Sequence, residues 1–265
     1  MVKKKLILFL SAVLIMVAGF LTGMGLQHMS QSASVATAAV EKEVPIYFVE
    51  TDEKIVSISF DAAWGCERTE KILNTLEKYD VKATFFLTNI WLEDYPDMAK
   101  KIADDGHEIA MHSVSHPHMS QISADEAAKE VDGNYQMIET VTGYQPILFR
   151  FPFGEYDNKS IDILRNKGFY PIQWSIDSLD WMESKTKADI VDRVTVGLHP
   201  GAIILCHNNG TYTAEAVDEI ISYAQAQGDR FVPIGDLIYK GDYQTDQQGM
   251  ERKPIKESEI EERHE

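Results

Sequence analysis

Five short strings of this chain carry side chains that could share one chemical task. They are Ser59-Phe60-Asp61, His112-Ser113-Val114-Ser115-His116, Arg150-Phe151-Pro152-Phe153-Gly154, Asp177-Ser178-Leu179-Asp180-Trp181 and Leu205-Cys206-His207. His112 and His116 are four apart. On a helical turn both imidazoles would face one side, a spacing that suits a single metal ion. Imidazole binds zinc, and serves cobalt, nickel and iron as well. Such a pair is often incidental, and His107 and His118 lie close by. Asp61 closes an apolar run, where it could cap a following helix or act on a proton; helix-like sequence resumes only at Glu67.

The elements that must hold these groups alternate. Strand-like runs are predicted at 56–60, 83–87, 107–111, 147–151, 170–175, 202–205 and 231–233. Helix-like stretches fall between them at 67–79, 97–105, 124–142, 158–167, 188–196 and 214–227. Gly106, Gly143 and Gly168 stand where helices should stop. Such alternation means a mainly parallel sheet. Asp61, His112, Arg150, Asp177 and His207 all fall at or just past the C-terminal ends of predicted strands, where a βα barrel gathers its reactive groups. Cys206, between Leu205 and His207, should point away from both.

The chain has 265 residues, 44% of them hydrophobic, enough for one large core. Its net charge of −17 argues against nucleic acid as a partner. Lys3, Lys4 and Lys5 precede an apolar run from Leu6 to Leu26. About 20 apolar residues cross a bilayer. With no Lys or Arg after the run until Lys42, the N-terminus is expected inside and the rest outside. A cleaved signal peptide is the rival, with Ala36-Thr37-Ala38 as its small-residue site. The expected organisation is an anchor or signal segment at 1–27, a linker at 28–45, a folded domain at 46–240 and a charged flexible tail at 241–265. The location is the cell membrane, single-pass, with the domain outside the cytoplasm, or secretion if the segment is cleaved.

Together and in this order, the five strings resemble the motifs of the polysaccharide deacetylase family, the NodB-type domain of carbohydrate esterase family 4. The resemblance extends over 46–240 and implies an irregular (β/α) barrel of about seven parallel strands; the N-terminal transmembrane helix before it is expected from the apolar run at 6–26. It implies a divalent metal, zinc before cobalt, held by His112 and His116. It makes Asp61 the general base, with Arg150 keeping it ionised. His207 becomes the general acid, oriented by Asp180. Phe153 would offer its backbone N–H to the oxyanion, and Trp181 and Leu205 would line the acetyl methyl's pocket. The substrate implied is N-acetylated cell-wall glycan, peptidoglycan before others.

One position departs from the family pattern. The usual second Asp, the metal's third protein ligand, is here Ala62. Cys66, Glu67 or Asp61 itself could stand in. Asp61-Ala62-Ala63-Trp64-Gly65 resembles the sporulation-associated branch, whose members also lack this Asp. Two alternatives to N-deacetylation therefore stand: a pseudoenzyme that binds glycan or a partner, and an O-acetyl esterase. A Cys66–Cys206 disulfide is a further possibility outside the cell.

Overall fold

The computed structural model describes residues 42–254. The expected anchor at 1–27, most of the linker, and residues 255–265 lie outside them. Among the described residues no helix is long and apolar enough to cross a membrane.

Seven strands form one parallel sheet in the order β6-β5-β4-β3-β2-β8-β7. They are β2 (Ile55–Ala62), β3 (Thr84–Leu87), β4 (Glu108–Met111), β5 (Leu148–Arg150), β6 (Tyr170–Ile172), β7 (Ile176–Asp177) and β8 (Ile203–His207). A short β9 (Arg230–Phe231) also pairs with β2. The sheet is a half-barrel, consistent with a (β/α) barrel, whose end strands β6 and β7 share no hydrogen-bond ladder. Its seam lies between β6 and β7, which only residues 173–175 separate in the chain. Ile46 enters this seam: its N–H donates to the Pro171 carbonyl (2.9 Å) and its carbonyl accepts from Gln173 N–H (2.7 Å).

Strand alternation sorts the side chains into two cores. On β2, Val56, Ile58, Phe60 and Ala62 face outward, into a large cluster shared with the helices. Ser57, Ser59 and Asp61 take the other face. Inside the barrel Phe86, Ala110, Leu148, Ile172 and Ile203 pack with Ile46, Ile234 and Leu237. Cys206 is on the outer face, fully buried, as expected.

The helices that follow the strands are α1 (Thr69–Lys78), α2 (Asn89–Asp94), α3 (Pro96–Asp104), α4 (Ala124–Thr142), α5 (Asn158–Asn166), α6 (Lys187–Gly197), α7 (Thr213–Ala226) and α8 (Ile234–Leu237). Local chemistry sets their ends. Ser123 and Glu126 form a reciprocal cap at the start of α4, and Gly143 ends it at φ 74°.

The domain does not stop at residue 240. Residues 244–245 and 250–252 form β10 (Gln244–Thr245) and β11 (Met250–Arg252), and β11 pairs in parallel with β1 (Phe48–Val49). Composition suggests a solvated tail here. The pairing with β1 and the complete burial of Glu251 overrule it.

Candidate active site

Arg150 is the keystone of the site. It stands on β5 but reaches across the barrel to β2, fully buried. Its Nη1 donates to Asp61 Oδ1 (2.8 Å) and Ser59 Oγ (2.9 Å), and its Nη2 to the Gln173 carbonyl (3.1 Å). Its guanidinium lies over the Phe86 ring, 4.0 Å from the centroid, a stacking that a lysine could not copy. Asp61 is 7% exposed. Burial alone would raise its pKa. The charges of Arg150, His112 and His207 and the Arg150 hydrogen bond outweigh that, and leave it below the usual aspartate value. Asp61 is therefore an ionised carboxylate at neutral pH.

His112 and His116 do converge, but not on a helix. They lie on an irregular loop after β4, with Ser113 at φ 75° and His116 at φ 55°. His112 Nδ1 lies 2.9 Å from the Arg150 carbonyl. A carbonyl only accepts, so Nδ1 carries the proton and Nε2 keeps its lone pair. Nε2 sits 3.6 Å from Asp61 Oδ2. The two imidazoles pack edge to face with centroids 4.9 Å apart. Burial, the leading cause, lowers both pKa values, that of His116 to about 4. Neutral imidazole is the metal-binding form.

What fixes this loop is α4, a contribution the motif strings do not reveal. Asn134, fully buried, accepts from His112 N–H (2.8 Å) and donates to the Leu87 carbonyl (3.0 Å) and Asn89 Oδ1 (2.8 Å). One turn earlier, Glu130 Oε2 accepts from the N–H groups of Val114 and Ser115, each at 2.8 Å. Between them Gly133 makes room, since a Cβ there would meet Val114 Cγ2 at 2.9 Å. The legible signal was the spacing: Glu130 and Asn134 are four apart and share a helix face.

His207 lies opposite Asp61. Its Nδ1 is 2.8 Å from Asp180 Oδ1, and its backbone N–H donates to Asp180 Oδ2 (2.8 Å). Thr213 Oγ1 donates to the same Oδ2 (2.6 Å). Burial disfavours the charged ring. The hydrogen bond and charge of Asp180 outweigh it, and the His207 pKa stands above its usual value. Leu205, Trp181 and Phe153 line the same cleft, of about 610 Å³, with Trp64 at its side. Phe153 (φ 59°) and Leu179 (φ 56°) are left-handed, like Ser113 and His116. Of the five such non-glycine residues described, His116 and Phe153 line this cleft and Ser113 and Leu179 lie on the loops that carry its residues; each costs about 1–3 kcal/mol. Every residue that the motifs nominate is thus gathered at one end of the barrel.

The donor set for a metal is incomplete. Ala62, next along β2, is fully buried in the outer core. Neither Cys66 nor Glu67 lines the cleft. Among the described residues no group of three or more His, Cys, Asp or Glu side chains could hold a metal ion. His116 Nδ1 is buried without a hydrogen-bond partner. The residues present fit a two-imidazole half-site and not a three-donor cage. Cys66 and Cys206 are free thiols.

A parallel βα sheet thus gathers an ionised aspartate, a histidine bonded to a buried aspartate and two paired imidazoles at its C-terminal strand ends. The model of the polysaccharide deacetylase family matches residues 48–172. The peptidoglycan-N-acetylmuramic acid deacetylase PdaA of Bacillus subtilis is 32% identical over 204 residues, spanning 76% of this chain and 78% of its own. The uncharacterized protein YlxY of Bacillus subtilis is 36% identical over 194 residues, spanning 73% of this chain and 60% of its own length. A carbohydrate esterase family 4 pseudoenzyme from Bacillus anthracis superposes with a TM-score of 0.70 at 34% identity, covering 73% of this chain and 68% of that one. The chain belongs to the polysaccharide deacetylase family, carbohydrate esterase family 4.

Proposed function

We propose that this domain removes N-acetyl groups from cell-wall glycan, peptidoglycan in particular, outside the cytoplasmic membrane, with residues 6–26 as its anchor. The observation that carries the reading is the pair of dyads, Asp61–Arg150 and His207–Asp180, whose Asp61 and His207 stand side by side in the wall of one cleft. PdaA, a relative named as a peptidoglycan deacetylase, supports the substrate; location rests on the N-terminal sequence.

Water attacks the acetamide carbonyl while Asp61 takes its proton. The Phe153 N–H steadies the oxyanion. His207 then gives its proton to the departing nitrogen as the C–N bond breaks, leaving acetate and a free amine. Trp181 and Leu205 enclose the acetyl methyl. A divalent cation, zinc by the nature of its donors, would be held by His112 and His116 and would polarise the carbonyl.

The test is acetate release from purified peptidoglycan, with and without zinc or cobalt, for the native protein and Asp61→Asn. The reading requires release that Asp61→Asn abolishes. One observation favours a second reading, a glycan-binding pseudoenzyme: Ala62 supplies no third ligand. Absence of acetate under every cation, with glycan affinity intact, establishes that reading instead.

A further inference from the structure

Glu251 is buried where a charge has almost nothing to answer it. It stands on β11 and is fully buried. Val49 of β1 and Thr245 of β10 are its direct partners on either side, so all three turn to one face. On that face Val49 joins the inner core with Ile46, Leu237 and Ile238. Glu251 Oε2 accepts one hydrogen bond, from the Tyr239 N–H (3.0 Å). Its Oε1 and the Thr245 Oγ1 are buried without a partner.

The ionisable groups around it are engaged elsewhere. Arg252, next on the strand, reaches Asp246 (3.4 Å), and Lys253 lies over the Tyr239 ring. Arg165 of α5 serves Glu43 and Tyr243. Beyond β1, Glu50 and Glu53 act on Tyr239, whose hydroxyl donates to the Glu50 carbonyl (2.8 Å). The His199 ring stands edge-on to Phe48. None of these cations pairs with Glu251. An ionised carboxylate with a single donor is costly to bury, and a neutral acid far less so. Burial accordingly pushes the Glu251 carboxyl up to about 7, and the Tyr239 N–H offsets this only in part.

What Glu251 fastens is the entry of the chain into the barrel. The Gly249 and Glu251 carbonyls accept from the N–H groups of Tyr47 and Glu50, each at 2.8 Å. Ile46, just before them, fills the seam between β6 and β7. We propose that residues 244–252 are a proton-operated strap on β1, docked while Glu251 is neutral and released when it ionises. Detached, Glu251 is an ordinary glutamate of 4.5; docked, it keeps its proton to about 7. Docking is thus fully supported below the lower value and loses that support as pH rises to the upper one. Above it both forms are ionised and the dependence ends.

Hydrogen exchange of the full chain, corrected for the intrinsic effect of pH on exchange, reads the strap directly. Between about pH 5 and 7, protection of residues 244–252 should fall about tenfold per unit, about a hundredfold in all, and then level off. Residues 47–50 should follow. α4 should not, since the strap opens without unfolding the barrel. Glu251→Gln cannot ionise and should keep the acid-level protection throughout, which separates Glu251 from His199. Protection that ignores pH, a fall that Glu251→Gln shares, or a fall that α4 shares overturns the strap. So does a native Glu251 carboxyl whose carbon-13 resonance titrates near the ordinary 4.5, a reading that needs no variant.

Discussion

Asp61 and His207 are direct partners across the parallel pair β2–β8, just as Ser59 is opposite Leu205. Neighbouring strands lie about 4.8 Å apart. Two residues 146 positions apart in sequence are thereby set side by side, on the same barrel face, by backbone register alone. Asp61 is held below its ordinary pKa and His207 above it. Divergent pKa values in a facing pair are the signature of a base and an acid.

The pH profile follows from those directions. Activity should need ionised Asp61 and protonated His207. The acid limb of kcat/KM should lie below the ordinary aspartate range, and the alkaline limb above the ordinary imidazole value of 6.5. Asp180→Asn removes the hydrogen bond and charge that raise His207, so the alkaline limb should move to lower pH and kcat/KM at neutral pH should fall about tenfold or more. An unmoved alkaline limb would deny His207 its role as acid.

Arg150 couples catalysis to stability. Arg150→Ala leaves Asp61 buried without its cation, a loss of about 3–5 kcal/mol. The sign with pH is fixed by the depressed Asp61 pKa. Its contribution is present above the unfolded-state pKa of about 3.9 and lost as pH falls through the folded value. Urea denaturation should therefore show the widest gap between the native protein and Arg150→Ala at neutral pH, narrowing in acid. A gap that stays constant with pH would mean that Arg150 acts through packing alone. Arg150→Lys should recover only part, because one ammonium cannot reach Asp61, Ser59 and the Gln173 carbonyl together.

Much of this was legible in the chain because period-two strands assign faces without any structure. Apolar periodicity puts Asp61, His112, Arg150, Asp177 and His207 at or just past strand ends, and turns Cys206 away from His207 for the same reason. The two imidazoles converge, but on a loop and not on a helical turn: a spacing of four reads as helix, and nothing in Ser113-Val114-Ser115 announces two left-handed residues. Asn134 and Glu130 escaped notice because polar residues on an amphipathic helix look solvated until the loop they hold is present. The strands after residue 241 were hidden by composition, since a buried Glu251 is invisible to average polarity.

The α4 cradle should matter to the imidazoles more than to the fold. Asn134→Ala takes the donor from Asn89 Oδ1 and leaves the His112 N–H and the Leu87 carbonyl only their own long 3.3 Å hydrogen bond, at about 1–3 kcal/mol. The protein should still unfold cooperatively in denaturant. The Nδ1 and Nε2 NMR resonances of His112 and His116 should broaden or shift, while those of His207 stay. Glu130→Gln should do less, since an amide oxygen can still accept from Val114 and Ser115. Loss of stability with all imidazole resonances unchanged would reduce Asn134 to a packing residue.

Ala62 sets the sharpest test of the metal half-site. It is the last residue of β2, fully buried on the outer face, and its carbonyl accepts from Thr88 N–H at 3.2 Å. Ala63 and Trp64, the next two residues, line the cleft. A carboxylate at position 62 is thus one backbone bend from the imidazoles and otherwise buried among apolar groups. With a chelator present, Ala62→Asp should be destabilised by several kcal/mol, the cost of burying an unpaired charge after relaxation. Zinc should restore stability if the new carboxylate joins His112 and His116, by about 2.7 kcal/mol at a hundredfold excess over Kd. The native protein, with two donors, should gain far less at the same zinc concentration, and His112→Ala in the Ala62→Asp background should gain nothing. Thermal denaturation with and without zinc reads all three. If Ala62→Asp gains no more than the native protein does, the imidazoles are not half of a metal site and their neutral pair serves only the packing of the cleft.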